Sequence, residues 1–409
     1  MKIKGKEGVT GLLSHFIDLK IHKSILKLSF MNETTTNKTT LSEIARLFLK
    51  LGITGFGGPA AHISMMRHEV VLKKKWMTEE HFLDLVGATN LIPGPNSTEM
   101  AIHIGREKGG WKGLLIAGAC FIIPAVVITA VIAWFYRLYG ALPEVQSFIF
   151  GIKPAIIAII IVNIYPLAVK AGRSAVLVIL GVIAAVLSLL GYNEILIVFG
   201  AGLISWMIYL FTSGIKGSRF NSIAPVFAAN FLLQSAPGNL SLFLTFLKVG
   251  SILYGSGYVL FAFLESEFVA TGILTQQQLV DAIAVGQFTP GPVFSAVTFI
   301  GWQINGIEGA LVSTLGIFMP SFLFVAFLNP LVKKMRTSKA FAAILDGVNV
   351  ASIALIVSVC IMFGRESFVD WRAILIAAVC LAVCFRFKKL NTAWIVLGGS
   401  LAGYLLLLL

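Results

Sequence analysis

Long apolar segments separated by short polar loops run through most of the chain. Continuous apolar blocks such as 155–164 and 176–190 lack the alternation of barrel strands, so they predict helices that cross a membrane. The pattern therefore predicts an all-α, polytopic integral membrane protein with about ten spans. The predicted spans are 44–66, 113–136, 146–169, 175–190, 194–212, 242–264, 311–332, 341–363, 372–386 and 392–409.

Two further apolar segments, 82–105 and 279–301, are each interrupted by the tripeptide Pro-Gly-Pro. Each begins and ends on loops that the charge pattern assigns to one side of the membrane. A broken backbone inside a membrane is tolerated where it lines a cavity or is buried in protein. We therefore predict that both segments are re-entrant.

The chain is duplicated, because Phe-Leu-Lys-Leu-Gly at 48–52 recurs as Phe-Leu-Lys-Val-Gly at 246–250. Pro93-Gly94-Pro95 likewise recurs as Pro290-Gly291-Pro292, at nearly the same offset. Such repeats are common in secondary transporters. The predicted organisation is an N-terminal tail at 1–40, a first repeat at 41–212, a linker at 213–240 and a second repeat at 241–409.

Equivalent loops of the two repeats carry opposite charge. The loop after 66 holds Arg67 and the lysines 73–75, whereas its counterpart holds Glu265 and Glu267 without Lys or Arg. By the positive-inside rule, equivalent loops then lie on opposite sides of the membrane, which predicts an inverted repeat. The same scheme places the lysine-rich tail outside, against the rule, so the absolute orientation stays open.

The overall charge agrees with a membrane protein. Lys and Arg number 32 against 19 Asp and Glu, giving +13, but only 12% of residues are charged, about half the usual share of a soluble domain. The basic residues lie in loops, so membrane topology explains them better than nucleic-acid binding. The four cysteines lie in apolar stretches without a CxxC pair, so we predict no metal and no cofactor. The tail is either an amphipathic helix on an anionic membrane surface or loosely ordered.

Paired breaks indicate a binding site. Each half has a Gly-rich break, Gly55-Phe56-Gly57-Gly58-Pro59 or Tyr254-Gly255-Ser256-Gly257, followed by Pro-Gly-Pro. The residues after Pro-Gly-Pro should begin half-helices whose free N–H groups and positive dipole ends bind an anion, above all a tetrahedral oxyanion. The alternative is that Gly and Pro only kink or close-pack the spans. The predicted substrate-binding residues are Lys50, Gly57, Gly58, Pro59, Asn90, Pro93, Gly94, Pro95, Asn96, Ser97, Thr98, Lys248, Gly255, Gln287, Pro290, Gly291, Pro292 and Ser295.

The charged candidates each allow two interpretations. Lys50 and Lys248 occupy equivalent positions and either attract a dianion or extend to the membrane interface. Glu69 and Glu267 either exchange protons or are solvated, and Glu69 could also pair with Arg67. His62, in the first half only, is a candidate for proton coupling.

These residues together resemble the chromate ion transporter family. Phe56-Gly57-Gly58-Pro59, Glu69, Trp76, Pro93-Gly94-Pro95 and the glycines ending at Pro124 are similar to its N-terminal signature, and the second copy is similar to its long, two-domain form. The resemblance implies a multi-pass protein of the inner or plasma membrane that exports chromate and confers resistance, with sulfate as competitor. The second copy departs from the family pattern at 254–257, where Tyr-Gly-Ser-Gly replaces Phe-Gly-Gly-Pro.

Several rival functions remain at this point. A sulfate or other oxyanion transporter has the same chemistry, and a channel is a third transport mode. An integral membrane enzyme is disfavoured, since no carboxylate pair repeats at catalytic spacing and we identify no catalytic residue. No phosphate-binding Gly-x-x-x-x-Gly-Lys-Ser/Thr loop is present, so export would be driven by membrane potential or proton exchange. The expected partners are the oxyanion and the lipid bilayer. We expect no nucleic-acid partner, and a homodimer is one possible assembly.

Overall fold

The computed structural model describes residues 39–140, 142–212, 238–254, 257–327, 335, 338–387 and 390–408. Residues 1–38 of the predicted tail, residues 213–237 of the predicted linker and Gly255 lie outside these ranges. The side chains of Pro143, Glu144 and Glu366 are likewise outside the description.

The described residues form helices and no strand, which confirms the all-α prediction. In the described ranges, 5 helices are long and apolar enough to cross a membrane, as a multi-pass membrane protein requires. The first half contains α1 (Leu41–Thr54), α2 (Gly58–Arg67), α3 (Glu79–Thr89), α4 (Asn96–Tyr139), α5 (Pro143–Ala171), α6 (Ala175–Leu189) and α7 (Glu194–Thr212). The second half contains α8 (Asn239–Ile252), α9 (Leu260–Leu264), α10 (Gln276–Phe288), α11 (Ala296–Phe327), α12 (Lys339–Ser367), α13 (Trp371–Arg386) and α14 (Thr392–Leu408). Short π-helical turns, His68–Lys73 and Glu265–Val269, follow α2 and α9, and 3-10 turns, Gly257–Val259 and Val293–Ser295, precede α9 and α11.

Several helices begin at a hydroxyl side chain that accepts a hydrogen bond from the first turn. Thr78 accepts from the N–H of His81 at the start of α3, and its repeat equivalent Thr275 accepts from Gln278 at the start of α10. Such caps satisfy backbone donors that have no partner inside the helix. Repetition of the cap fixes the start of the same helix in both halves.

α1 and α2 form an antiparallel hairpin. Lys50 Nζ lies 2.6 Å from Glu69 Oε1, and Lys74 Nζ lies 3.1 Å from Glu43 Oε1. A continuous helix would separate positions 50 and 69 by about 28 Å, so the chain must reverse between them. The reversal occurs at Gly57, whose φ is 103°.

The predictions of single spans at 44–66 and 242–264 are therefore wrong. The second half repeats the hairpin, since Lys248 Nζ lies 2.5 Å from Glu267 Oε1. Apolar composition over about twenty residues indicates membrane length but carries no information on chain reversal. The other predicted spans fall on α4 to α7 and α11 to α14.

Each half also has a second hairpin whose tip is Pro-Gly-Pro. His81 on α3 lies 2.8 Å from Glu107 on α4, so α3 runs antiparallel to the start of α4. The chain reverses again at Gly110, where φ is 59° and ψ is −145°. This reversal divides α4 into two arms, 96–109 and 111–139. In α11 the same reversal falls at Gly306, with φ 61° and ψ −145°. Insertion of these tips from one side of the membrane stays a prediction, as does the span count.

The two halves are packed into each other. The long helix α5 of the first half contacts α13 and α14 of the second, while α12 contacts α6 and α7. At the centre, α4 contacts α11. This packing buries the two Pro-Gly-Pro tips along the surface that joins the halves, whereas Gly57, at the tip of the α1–α2 hairpin, is exposed.

Candidate functional site

The Pro-Gly-Pro tip of each half is hydrogen-bonded to the Gly-rich break of the other half. The N–H of Gly94 donates to the carbonyl of Leu253 at 2.8 Å, and the N–H of Gly291 donates to the carbonyl of Gly55 at 2.7 Å. Gly94 and Gly291 are repeat equivalents, as are Leu253 and Gly55. Each half therefore makes the same contact with the other half. The residues of both Pro-Gly-Pro tripeptides are buried. The sequence-predicted breaks therefore meet at one internal junction.

The central residue of each tip must be glycine. Gly94 has a φ of 136° and Gly291 a φ of 90°, in a region that side chains disfavour. A Cβ on Gly94 would lie 2.3 Å from Glu99 Oε1 and 2.7 Å from Ser321 Oγ, and one on Gly291 would lie 2.9 Å from the Ala125 side chain. The surrounding atoms, from both halves at Gly94 and from the other half at Gly291, thus leave too little space for a methyl group.

Each tip leads directly into a helix that starts at the junction. α4 begins at Asn96 after Pro95, and the turn Val293–Ser295 follows Pro292 and continues into α11. The first N–H groups of a helix have no partner within it, so both helices present donors and a positive dipole end near the tips.

Buried hydroxyls accompany these helix starts. Ser97 is 2% exposed and Thr98 is fully buried, and in the described part of the chain Thr98 Oγ1 has no hydrogen-bond partner. Ser295, also fully buried, accepts a hydrogen bond of 3.3 Å from Thr129 on α4 of the other half. The predicted hydroxyl donors therefore lie where the half-helices begin.

His62 links the two hairpins of the first half. Its Nε2 lies 2.9 Å from the carbonyl of Gly55, and its Nδ1 lies 3.3 Å from Ser97 Oγ. A carbonyl only accepts, so Nε2 carries the proton and donates it, while Nδ1 accepts from the hydroxyl. The carbonyl of Gly55 thus receives hydrogen bonds from both His62 and Gly291. This arrangement makes His62 a positioning residue for the junction.

The predicted charged residues lie away from the tips and are paired. Lys50 and Lys248 contact Glu69 and Glu267 in equivalent salt bridges. Lys73 also approaches Glu69, at 3.7 Å. The hydrogen bond from Lys50 lowers the pKa of the Glu69 carboxyl. Each lysine already has a counter-ion, which favours a role in holding the hairpins together.

The suggested pair between Glu69 and Arg67 is not formed. Arg67 instead donates to Glu79 at 2.6 Å, joining the end of α2 to the start of α3.

The remaining predicted residues occupy varied environments. Gln287 is 5% exposed and lies beside the second tip, whereas Asn90 is exposed and accepts a hydrogen bond from Asn96 at 2.7 Å. Gly58 and Pro59 form the first turn of α2. The two amides that the repeat relates therefore differ in burial.

Sequence reasoning missed Glu99, a fully buried carboxyl at the first tip. Its Oε1 accepts a hydrogen bond from Ser321 Oγ of the other half at 3.4 Å, and Oε2 has no partner among the described residues. The signal was available, since an ionisable residue inside an apolar segment is a functional candidate by default. The search for duplicated residues passed over it because its equivalent in the second half is Ala296.

A second missed contact joins the halves farther from the tips. The Tyr136 hydroxyl on α4 donates to Asp281 on α10 at 2.5 Å, and Asp281 also accepts from Gln277. Both residues line a mostly apolar cavity of about 300 Å³ between α4, α5 and α10. Asp281 stands at the repeat equivalent of Asp84, which was the available signal.

Arg106 makes a further contact between the halves. Its guanidinium donates to the carbonyls of Val325 and Ala326 at the end of α11. In the second half Gln303, the repeat equivalent of the neighbouring Glu107, donates to the carbonyl of Ala133 at 3.2 Å. The base of each Pro-Gly-Pro hairpin is therefore tied to the other half, as its tip is.

The sequence profile of the Chromate transporter family matches the chain twice, over residues 42–206 and 240–404. This chain belongs to the chromate transporter family. The two matches together cover most of the chain, and each includes both hairpins of one half. Family membership and the apolar helices identify a multi-pass membrane protein, as the sequence predicted.

Three relatives extend the comparison over nearly full length. The chain is 31% identical to the chromate transport protein of Cupriavidus metallidurans over 371 residues, 89% of this chain and 92% of the relative. It is 30% identical to the probable chromate transport protein of Synechococcus elongatus over 375 residues, 89% and 95% of the two chains. It is 26% identical to the chromate transport protein of Pseudomonas aeruginosa over 377 residues, 88% and 90% of the two chains. No solved structure matches the chain significantly.

Proposed function

We propose that this protein is a secondary transporter that exports chromate across the cell membrane. The observation that carries the proposal is the internal junction, where two Pro-Gly-Pro tips and two helix starts from the two repeats meet. Relatives named as chromate transport proteins, aligned over nearly their whole length, support the choice of oxyanion.

The chemistry of the junction suits a tetrahedral dianion. Backbone N–H groups at two helix starts supply donors from two directions, and Ser97, Thr98 and Ser295 add hydroxyls. Such donors recognise shape and charge but not the central atom. Sulfate is therefore the main competitor, and a sulfate or other oxyanion transporter is the second candidate function.

The membrane potential favours export. Moving charge across 100 mV is worth about 2.3 kcal/mol per elementary charge, so a dianion leaving an inside-negative cell gains about 4.6 kcal/mol. At about 1.4 kcal/mol per decade, this supports a concentration ratio of more than a thousandfold. Export of this kind confers resistance without hydrolysis of ATP.

Burial of the tips supports an alternating-access mechanism. The hydrogen bonds Gly94 to Leu253 and Gly291 to Gly55 close the junction from both halves, so an ion enters only after one half moves relative to the other. Transporters built from inverted repeats move in this way around a site near the middle of the membrane. The Gly-rich breaks would serve as hinges.

The test is uptake of labelled chromate and sulfate into everted vesicles, with and without an imposed potential. The variant is Pro93→Ala combined with Pro290→Ala. The control is Pro166→Ala, which changes a helix-interior proline of α5 outside both tips. We expect saturable, potential-driven chromate uptake in the wild type and the control, and at least a tenfold loss in the double variant.

The rival functions predict different results. Sulfate flux without chromate flux would support the proposed anion site but identify sulfate, not chromate, as the substrate. Flux that does not saturate and shows no counterflow would indicate a channel. Absence of flux for both anions in wild-type vesicles would contradict the transport proposal and favour an enzyme.

A further inference from the structure

Glu99 is a carboxyl enclosed at the place where the first tip meets the second half. It is fully buried, and its only hydrogen bond among the described residues comes from Ser321. No cation of the described chain forms a salt bridge with it. An isolated buried carboxylate is so costly that such a group takes up a proton instead. Glu99 is therefore the neutral acid while the junction encloses it, and it ionises when the junction opens to water.

The titratable neighbours of Glu99 do not supply a counter-charge. Tyr254, from the break of the second half, is close enough to interact electrostatically with Glu99. His62 reaches the same helix start through Ser97, but both of its ring nitrogens are engaged. His103 lies one turn along α4, is 3% exposed, and follows Glu99 on the same helix face. Arg106, farther along, is bound to carbonyls of α11.

An ionised Glu99 would repel an anion bound at the first tip. Its Oε1 lies against Gly94, in the first turns of the helix whose start is the proposed anion donor. An ionised Glu99 would place a negative charge beside the dianion and would itself occupy the positive end of the helix dipole. A neutral Glu99 leaves both the donors and the dipole to the substrate.

We propose that Glu99 is a proton-binding site whose protonation is coupled to oxyanion binding at the first tip. The inference rests on the proposed transport function and specifies its proton linkage. Because each event favours the other, the linkage is reciprocal: anion binding takes up a proton, and acidification raises anion affinity. The site is asymmetric, since the second half has Ala296 at the equivalent position.

The experiment measures chromate binding to the full-length protein in lipid nanodiscs by titration calorimetry. Buffers of different ionisation enthalpy report the number of protons taken up per anion. The pH is varied only over the range in which chromate stays a dianion. We compare the wild type with Glu99→Gln, which keeps the shape and removes the proton site, and with Glu194→Gln as the matched control. Glu194 is a buried carboxyl at the start of α7, outside both tips.

Above the midpoint, where Glu99 of the open, anion-free protein is ionised, we expect the wild type and Glu194→Gln to take up about one proton per anion and to lose affinity by about tenfold per pH unit. Glu99→Gln should bind without proton uptake and with the same affinity at every pH. Proton uptake that persists in Glu99→Gln would overturn the inference, as would wild-type binding that shows no proton uptake and the same affinity at every pH. Failure of the wild type to bind either chromate or sulfate would instead overturn the proposed function, and the inference with it.

A milder variant keeps the test decisive if Glu99→Gln fails to fold. Ser321→Ala leaves Glu99 in place but removes the hydroxyl that donates to it. A hydrogen bond to the carboxylate favours the charged form, so its loss should move the midpoint for anion affinity to higher pH. An unchanged midpoint, or a shift to lower pH, would contradict the assignment.

Discussion

The N–H of Gly94 donates to the carbonyl of Leu253 across the surface that joins the two halves, at 2.8 Å. The repeat turns this contact into a pair, because Gly291 donates to Gly55 at 2.7 Å. Both donors are tips of Pro-Gly-Pro hairpins, whereas the acceptor Gly55 begins one Gly-rich break and the acceptor Leu253 directly precedes the other. Both contacts join backbone groups, and His62 adds a side-chain hydrogen bond to the Gly55 carbonyl.

Replacement of a tip glycine should destabilise the closed junction. Gly94→Ala introduces a Cβ at a φ of 136° and 2.3 Å from Glu99 Oε1, so we expect a loss of about 1–3 kcal/mol and at least a tenfold fall in transport. Thermal unfolding of the purified protein and vesicle uptake measure the two effects. Gly398→Ala is the control, since a Cβ there meets nothing within 4 Å and lies in α14. Equal effects at the two positions would contradict the strained-tip interpretation.

The salt bridges of the first hairpins should behave as structural pairs. Lys50→Met and Glu69→Gln should each lower thermal stability, because each leaves one charge of the salt bridge without its partner. The double variant should be no less stable than either single variant. A double-mutant cycle on the free energy of unfolding should give a coupling energy of about 0.5–1 kcal/mol. The KM for chromate should stay within about twofold in all three, because Lys50 already has a counter-ion. A KM that rises tenfold in Lys50→Met but not in Glu69→Gln would instead place the lysine at the anion.

A covalent link between the halves should stop transport. Thr129 and Ser295 lie on different halves with their hydroxyl oxygens 3.3 Å apart, so paired cysteines there are close enough to form a disulfide. In a background with the native cysteines replaced by alanine, oxidation should abolish uptake and a reductant should restore it.

The matched control is a cysteine pair at Thr298 and Thr314, whose hydroxyls lie 2.8 Å apart within the second half. If the halves move as units, oxidation of this pair should leave uptake nearly unchanged. Arrest by both links would show that motion within a half is also required.

Loss of the His62 side chain should loosen the first half of the junction. His62→Phe keeps an aromatic ring against Phe121 but removes the hydrogen bonds to Gly55 and Ser97. We expect a loss of stability of about 1–3 kcal/mol and a lower maximal uptake rate, with the pH profile of uptake keeping its wild-type shape. Ser97→Ala, which removes one contact, should cost about 1 kcal/mol. A pH profile flattened by His62→Phe would transfer the proton-coupling role to His62.

The sequence revealed the fold class and the elements of the junction, because apolar length and duplicated breaks are local signals. It did not reveal the α1–α2 reversal, since apolar residues at 44–66 fit one crossing or two shorter antiparallel helices equally well. Gly-Gly-Pro at 57–59 marks the reversal in the sequence. We interpreted it as a break in the helix, which is correct, but not as a reversal of the chain.

Contacts between the halves lay beyond local pattern. The pairing of Gly94 with Leu253 depends on how two bundles dock, and nothing near either residue specifies the other. Glu99 was passed over for a different reason: the search favoured residues that occur in both halves, and this carboxyl occurs in one. Asymmetry within a duplicated framework was thus the least predictable part of the site.

The reciprocal tip contacts also bear on how the two halves relate to each other. A surface in which residue i of one unit meets residue j of the other, and j meets i, is the geometry of a two-fold dimer. A lone repeat would leave its tip donor and its break acceptor without partners, and would need a second copy to complete them. Within one chain the two halves thus meet as the subunits of a two-fold dimer would, but they are free to differ in sequence, as they do at Glu99 and Ala296.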